Sequence, residues 1–259
     1  MFETLDYALE AGVARLVLNR PERHNAINSV MSRELPLAWA RFEADPAARV
    51  AIVIGAGDRA FCTGADIADL PQADDPGRSI KDQLVWTPRQ ARVTKPVICA
   101  VNGMVVGGGL HFVADCDVVI ASENASFFDT HVRVGLVAGL EPVALARKIP
   151  LDAVLRMALM GGSERLSARR ALEIGLVGEC VAPEALGARA GELADAIKAH
   201  APQALARTKA AIWQSLELPL EAALDRASAL IAEHNAGPEF AEGQAAFREG
   251  RAPNWAGRP

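Results

Sequence analysis

The chain has 259 residues, 51% of them hydrophobic and 23% charged, with a formal net charge of −5. Such apolar content excludes a disordered chain, and the length suits one domain with an appendage around a sizeable core. The mild acidity gives no footing for nucleic acid, no apolar run is long enough to span a membrane, and no basic-then-apolar leader opens the chain, so a soluble, cytoplasmic protein is expected.

In chain order, Val13–Leu18 reads as a strand ending at Asn19-Arg20-Pro21. Residues 29–43 read as a helix, with Pro36 expected to kink or restart it. A second strand, Val50-Ala51-Ile52-Val53-Ile54, leads to Ala60-Phe61-Cys62-Thr63-Gly64-Ala65-Asp66-Ile67. Residues 69–77 are rich in Asp and Pro and are expected to form a mobile loop near a pocket. A third strand, Val97–Val101, leads through Asn102-Gly103 to Gly107-Gly108-Gly109, which opens a helix running to about Ala114. Strands recur at 117–121 and near 177–181. This alternation favours an α/β fold. After Pro183 the spacing turns helical: Leu186, Ala190, Leu193 and Ile197 repeat on one face, and Pro202, Pro219 and Pro238 open three more helices. The expected division is an α/β core over 1–200 and a helical region over 201–259.

Two glycine-bearing turns thus follow two buried strands. Glycine there lets another backbone or a ligand come close, and two such turns on neighbouring strands can aim two N–H groups at one point, as needed to hold the oxyanion of an acyl group. Either turn alone could equally be a tight strand-to-helix connection with no ligand. Cys62, Cys99, Cys116 and Cys180 fit no zinc spacing, so no metal is expected, and three lie in apolar segments where cysteine acts as a small hydrophobe. Cys62 adjoins the first turn and is a candidate nucleophile, but no histidine adjoins it and a core role is the commoner case.

These pieces, with Asn25-Ala26 and the terminal Glu242-Gly243-Gln244-Ala245-Ala246-Phe247, occur in an order and spacing that resembles the crotonase superfamily, the enoyl-CoA hydratase/isomerase family, over essentially the whole chain. The resemblance implies a spiral of ββα units with a C-terminal helical trimerisation region, hence a homotrimer or dimer of trimers. It implies an acyl-CoA substrate and no separate cofactor, CoA being part of the substrate. It makes Ala65 N–H and Gly108 N–H the donors that stabilise a thioester enolate. It places Arg23, His24 and Ala26, together with Thr63, Gly64, Ala65, Asp66 and Ile67, at the CoA moiety. Phe247 and Arg251 match positions that reach CoA, often across a subunit interface, although Gly250 stands where a basic residue is frequent. Asp66 also reads as a structural cap of its turn.

The departure from the family lies in its two catalytic glutamates, whose positions here are His111 and His131. Histidine works as acid or base near neutral pH, but a neutral imidazole has one acceptor nitrogen where a carboxylate has two oxygens. A core histidine at 111, and a loop histidine bonded to Asp129 at 131, are the alternatives to a catalytic pair. Glu141, before Pro142 at a helix start, reads either as a carboxylate favoured by the helix dipole or as a replacement acid forming a dyad with His131. Three functions follow: a hydratase or isomerase of acyl-CoA; a hydrolase of a thioester or of a β-diketone C–C bond with His131 as base; and a non-catalytic acyl-CoA-binding protein.

Overall fold

The computed structural model describes residues 2–71, 73 and 75–255. Its larger sheet has the order β1 (Leu5–Glu10), β2 (Val13–Leu18), β3 (Val50–Gly55), β5 (Val97–Val101), β7 (Val118–Ser122) and β10 (Glu179–Val181). β1 and β2 form an antiparallel hairpin; every later pairing in this sheet is parallel. The smaller sheet has the order β4 (Ala60–Cys62), β6 (Met104–Val106), β8 (Ser126–Phe128) and β9 (Leu166–Ser167). Each of β3, β5 and β7 is followed by a three-residue strand of the smaller sheet, so the topology repeats as the expected spiral.

The central strands are apolar without alternation because both of their faces are covered. Val50, Ile52, Ile98, Ala100 and Ile120 point one way, against Leu186, Ala190 and Ala194 of a helix over Leu186–Lys198. Ala51, Val53, Cys99, Val101, Val119 and Ala121 point the other way, into the main core with Trp39, Phe61 and Phe112. The period of two along each strand sorts one continuous run into two cores. Asn102 stitches the corner between the layers: its Oδ1 accepts from Gly55 N at 3.1 Å, and its Nδ2 donates to Gly55 O at 2.9 Å and Gly57 O at 2.7 Å.

Helix α1 (Ser29–Ala44) opens with Asn28, whose side chain accepts from Met31 N. It runs unbroken through Pro36, against the expected kink or restart. Proline inside a helix costs ~3 kcal/mol, but burial of Met31, Leu35, Ala38, Trp39 and Phe42 outweighs that at roughly 1.5–3 kcal/mol per large side chain. A short helix α2 (Ile80–Gln83) precedes β5, and α3 (Leu110–Asp115) follows a 3-10 turn at Gly107–Gly109. Helices α4 (Leu140–Leu145), α5 (Leu151–Leu159) and α6 (Ala168–Glu173) come before β10, and α7 is the Leu186–Lys198 helix. The described C-terminal part is helical: α8 (Pro202–Ser215), α9 (Leu220–Asn235) and α10 (Pro238–Glu249). Asp117 fastens α8 to the sheet, accepting from Trp213 Nε1 at 2.7 Å and pairing with Lys209 Nζ at 2.8 Å. Within the expected loop at 69–77, Gln72 and Asp74 lie outside the described residues, and the remainder holds no helix or strand. Among the described residues no helix is long and apolar enough to cross a membrane.

Candidate active site

β4 and β6 are parallel neighbours, so the turns that follow them leave the sheet at the same end. They meet backbone to backbone. Gly64 has φ +81°, and a Cβ on it would lie 2.8 Å from Gly108 N and 2.9 Å from Val106 O. A Cβ on Gly108 would lie 3.6 Å from Ala65 N and only 2.8 Å from Trp86 Cζ3. A side chain at either position would force a neighbour to shift: the backbone at Gly64, the Trp86 ring at Gly108. Ile27 orients the first donor: its N–H donates to Gly64 O and its carbonyl accepts from Asp66 N, both at 2.8 Å. In such a bridge the residue between, Ala65, turns its own N–H to the opposite side. Among the described residues no hydrogen bond takes up Ala65 N–H.

The same bridge brings residues 23–26 beside 63–66. Thr63 Oγ1 donates to His24 O at 3.2 Å, and Arg20 links the two segments through Ala26 O at 2.6 Å and Asp66 Oδ2 at 2.9 Å. Burial pushes the Asp66 carboxyl up, but the Arg20 hydrogen bond, the Ala68 N–H and the Arg20 charge outweigh it and hold the group below its usual range. Asp66 therefore serves the turn: its Oδ1 accepts from Ala68 N at 3.0 Å. Arg23 is exposed, as is Ile67 at 77%. Phe247 and Arg251 sit elsewhere, on and just after α10. Phe247 is 88% exposed, and Arg251 is taken up by Glu242 and Glu249, both at 2.6 Å.

The imidazoles of His111 and His131 both face this region. A Cβ on Gly107 would lie 3.3 Å from His131 Cε1, which puts that ring against the residue before Gly108. His111 stands on α3, edge-on to Trp86 with ring centroids 6.0 Å apart. Each imidazole has a buried carboxylate partner. His111 Nε2 lies 3.2 Å from Glu141 Oε1 on α4. His131 Nδ1 lies 2.9 and 3.1 Å from the two oxygens of Asp129. The expected dyad of His131 with Glu141 is thus corrected: Glu141 reaches across to α3, while Asp129, two residues before His131 on the same loop, occupies Nδ1. Glu141 still acts on His131 through its charge.

Burial pushes the Glu141 carboxyl up, but the His111 hydrogen bond and the charges of His111 and His131 overcome it, so the carboxyl is held low. The Asp129 hydrogen bond raises the His131 pKa above its usual 6.5 despite burial. Cys62 is wholly buried, and burial pushes its thiol up to about 12, so it is no nucleophile at neutral pH.

One residue against the site was not singled out in the sequence. Trp86 is buried, donates from Nε1 to Ser32 Oγ at 2.8 Å, and walls Gly108 and His111. It stands in a segment without helical or strand periodicity, where only its aromatic character could have marked it. Beyond His111 a cleft of about 660 Å³ runs between α3, α4 and α8, bordered by Arg89, Asp115, Leu140, Ala144 and Trp213.

The family model described as Enoyl-CoA hydratase/isomerase matches residues 8–258. Over 248 residues the chain is 38% identical to (E)-benzylidenesuccinyl-CoA hydratase of Thauera aromatica, covering 95% of this chain and 96% of that one. It is 37% identical to mevalonyl-coenzyme A hydratase of Aspergillus fumigatus, with 93% and 90% covered. Its fold is similar to the crystal structure of an enoyl-CoA hydratase/isomerase from Mycobacterium paratuberculosis, with a TM-score of 0.91, 41% identity and full coverage of both chains.

Proposed function

The chain belongs to the enoyl-CoA hydratase/isomerase family, and on that footing we propose that it adds water to, or removes it from, an acyl-CoA through a thioester enolate. The observation that carries this reading is the meeting of the Ala65 and Gly108 turns beside two imidazole–carboxylate pairs. The thioester oxygen lies between Ala65 N–H and Gly108 N–H, where each donor is worth ~3 kcal/mol to the enolate-like transition state. Glu141, held ionised beside His111, accepts a proton from water as its oxygen bonds to the β-carbon. His131, whose hold on its proton the Asp129 hydrogen bond strengthens, delivers a proton to the α-carbon as the enolate collapses. Arg23, His24, Ala26, Thr63, Asp66 and Ile67 border the CoA moiety, with Phe247 and Arg251 contributing from a neighbouring copy. The acyl group extends past His111 into the cleft, whose charged and aromatic border suits a substituted acyl group. Names of relatives such as benzylidenesuccinyl- and mevalonyl-CoA hydratase support that choice.

A second reading, thioester or C–C hydrolysis, is favoured by one observation: His131 Nδ1 is held by Asp129, which leaves Nε2 to activate water. One assay separates the two. Crotonyl-CoA and enoyl-CoA esters bearing aryl, hydroxyl or carboxylate substituents are followed for loss of the conjugated thioester and for free thiol. Hydration is expected to be weak on crotonyl-CoA and strong on a substituted ester, with His131→Ala lowering it by ~10²–10⁴-fold and CoA affinity nearly unchanged. Thiol release without hydration would establish thioester hydrolysis. Full activity of His131→Ala on the accepted ester would overturn both.

A further inference from the structure

Asp129 matches no catalytic position in the family resemblance, yet it is placed as part of the reacting apparatus. Its side chain is 0% exposed. Its hydrogen bonds among the described residues all go to one client: His131 N donates to Oδ1 at 2.7 Å, and His131 Nδ1 meets Oδ1 at 2.9 Å and Oδ2 at 3.1 Å. A wholly buried carboxylate is costly, and a structure that keeps one must stabilise it with donors. Here both donors come from a single residue. Gly107 (φ +50°) lies against the ring: a Cβ built on it would stand 3.3 Å from His131 Cε1, 3.8 Å from Nδ1 and 3.9 Å from Nε2, so a side chain there would crowd the imidazole. Nε2 has no partner among the described residues, and the His131 side chain is 23% exposed.

We infer that Asp129 is a positioning residue: it fixes the plane of His131 and keeps the ring proton on Nδ1, so that Nε2 is the only nitrogen exchanging protons with the substrate. The inference rests on His131 being the proton carrier of the reading above. A carboxylate accepts but does not donate, so Nδ1 must be the donor, and the neutral ring is locked as the Nδ1–H tautomer. The charged groups acting on the ring are Asp129 from its own loop and Glu141 from α4, the latter paired with His111 of α3. Asp129 holds the geometry while both negative charges keep the ring protonated to higher pH.

Asp129→Asn tests this, because Asn Oδ1 retains an acceptor for both N–H groups while the charge is lost and the amide is free to turn its donor toward Nδ1. The first readout is exchange of the α-protons of 3-phenylpropanoyl-CoA, the saturated counterpart of an aryl-substituted enoyl ester, with D2O, followed by mass spectrometry. Asp129→Asn is expected to slow exchange about tenfold or more, with the half-saturating concentration changed less than about threefold and the pH profile displaced to lower pH. Adding Asp129→Asn to His131→Ala should cause no further loss, because the aspartate acts only through the ring. The second readout needs no substrate: long-range 1H–15N correlation on the labelled wild type should show neutral His131 with Nδ1 protonated and Nε2 bare. A bare Nδ1, or an Asp129→Asn protein with the wild-type exchange rate and pH profile while His131→Ala is inactive, overturns the role of Asp129 alone. Full exchange in His131→Ala, or none in the wild type, overturns the reading beneath it as well.

Discussion

An imidazole in place of a carboxylate has to find negative charge elsewhere, and each of the two histidines here has recruited it from a different element. His111 takes Glu141 from α4, and His131 takes Asp129 from its own loop. Restoring the family's glutamate at position 111 would therefore set a second carboxylate against Glu141, both nearly buried. Like charges so placed force one to stay protonated. His111→Glu is expected to lower the melting temperature, and adding Glu141→Gln to recover most of the loss, as read by calorimetry. Stability should also carry the signature of His131. Its folded pKa lies above the usual 6.5, so the folded chain holds the proton more tightly than the unfolded one. The gain is complete below 6.5 and is lost as pH rises through the folded value. Denaturant midpoints measured upward from pH 6.5 should fall in the wild type, and His131→Ala should remove that part of the slope. At this scale the family resemblance singled out Ala65, Gly108, His111 and His131 as candidates, and the structure brings these four positions together around one turn pair. The sequence did not show the pairing, because Glu141 meets His111 only once α3 and α4 are packed, and Asp129 reaches Nδ1 only through the fold of its loop.

Among the elements, the two glycine turns are interlocked, and one substitution tests that. In Gly108→Ala the new methyl would stand 2.8 Å from Trp86 Cζ3, so the indole or the turn must shift and the donor with it. Turnover is expected to fall by ~10²–10³-fold through the lost donor. Overpacking against a buried ring adds ~1–3 kcal/mol of destabilisation, which denaturant unfolding would report alongside the rate. Loss of rate with full stability would mean the ring yields freely; neither loss would mean that Gly108 N–H holds nothing. The long parallel strands β3 and β5 were legible as unbroken apolar runs, and the terminal helices from their prolines. The strands of the smaller sheet were not, because β4, β6 and β8 span only three residues each, too few for a period of two to stand out. β1 was missed for another reason: its alternation is present, but only Leu5 of its six residues is buried, so it resembles a polar surface segment.

For the whole molecule, the single chain leaves large apolar side chains exposed on the segment after His131 and on α4 and α5. Val134, Leu136 and Val137 are 54%, 57% and 89% exposed, Val143 on α4 is 71% exposed, and Leu151 and Leu159 on α5 are 61% and 68% exposed. Exposed apolar patches mark surfaces that meet a partner. The chain is expected to assemble as a trimer or a dimer of trimers, and light scattering should return three or six times the chain mass at all but the lowest concentrations; a monomer throughout would remove the idea. The bridge between Ile27 and Ala65 has a consequence at this scale too. Ala65 is paired on one side only, which makes it a one-residue sheet edge with its N–H left over. On the proposed reading, the thioester oxygen would stand where the oxygen of an adjoining strand would stand, and the substrate would pair with Ala65 as a missing strand. Edges of this sort usually threaten aggregation. Here the unpaired stretch is one residue long, with Gly108 beside it and Trp86 behind Gly108, so on the same reading it would admit a thioester and not a second polypeptide.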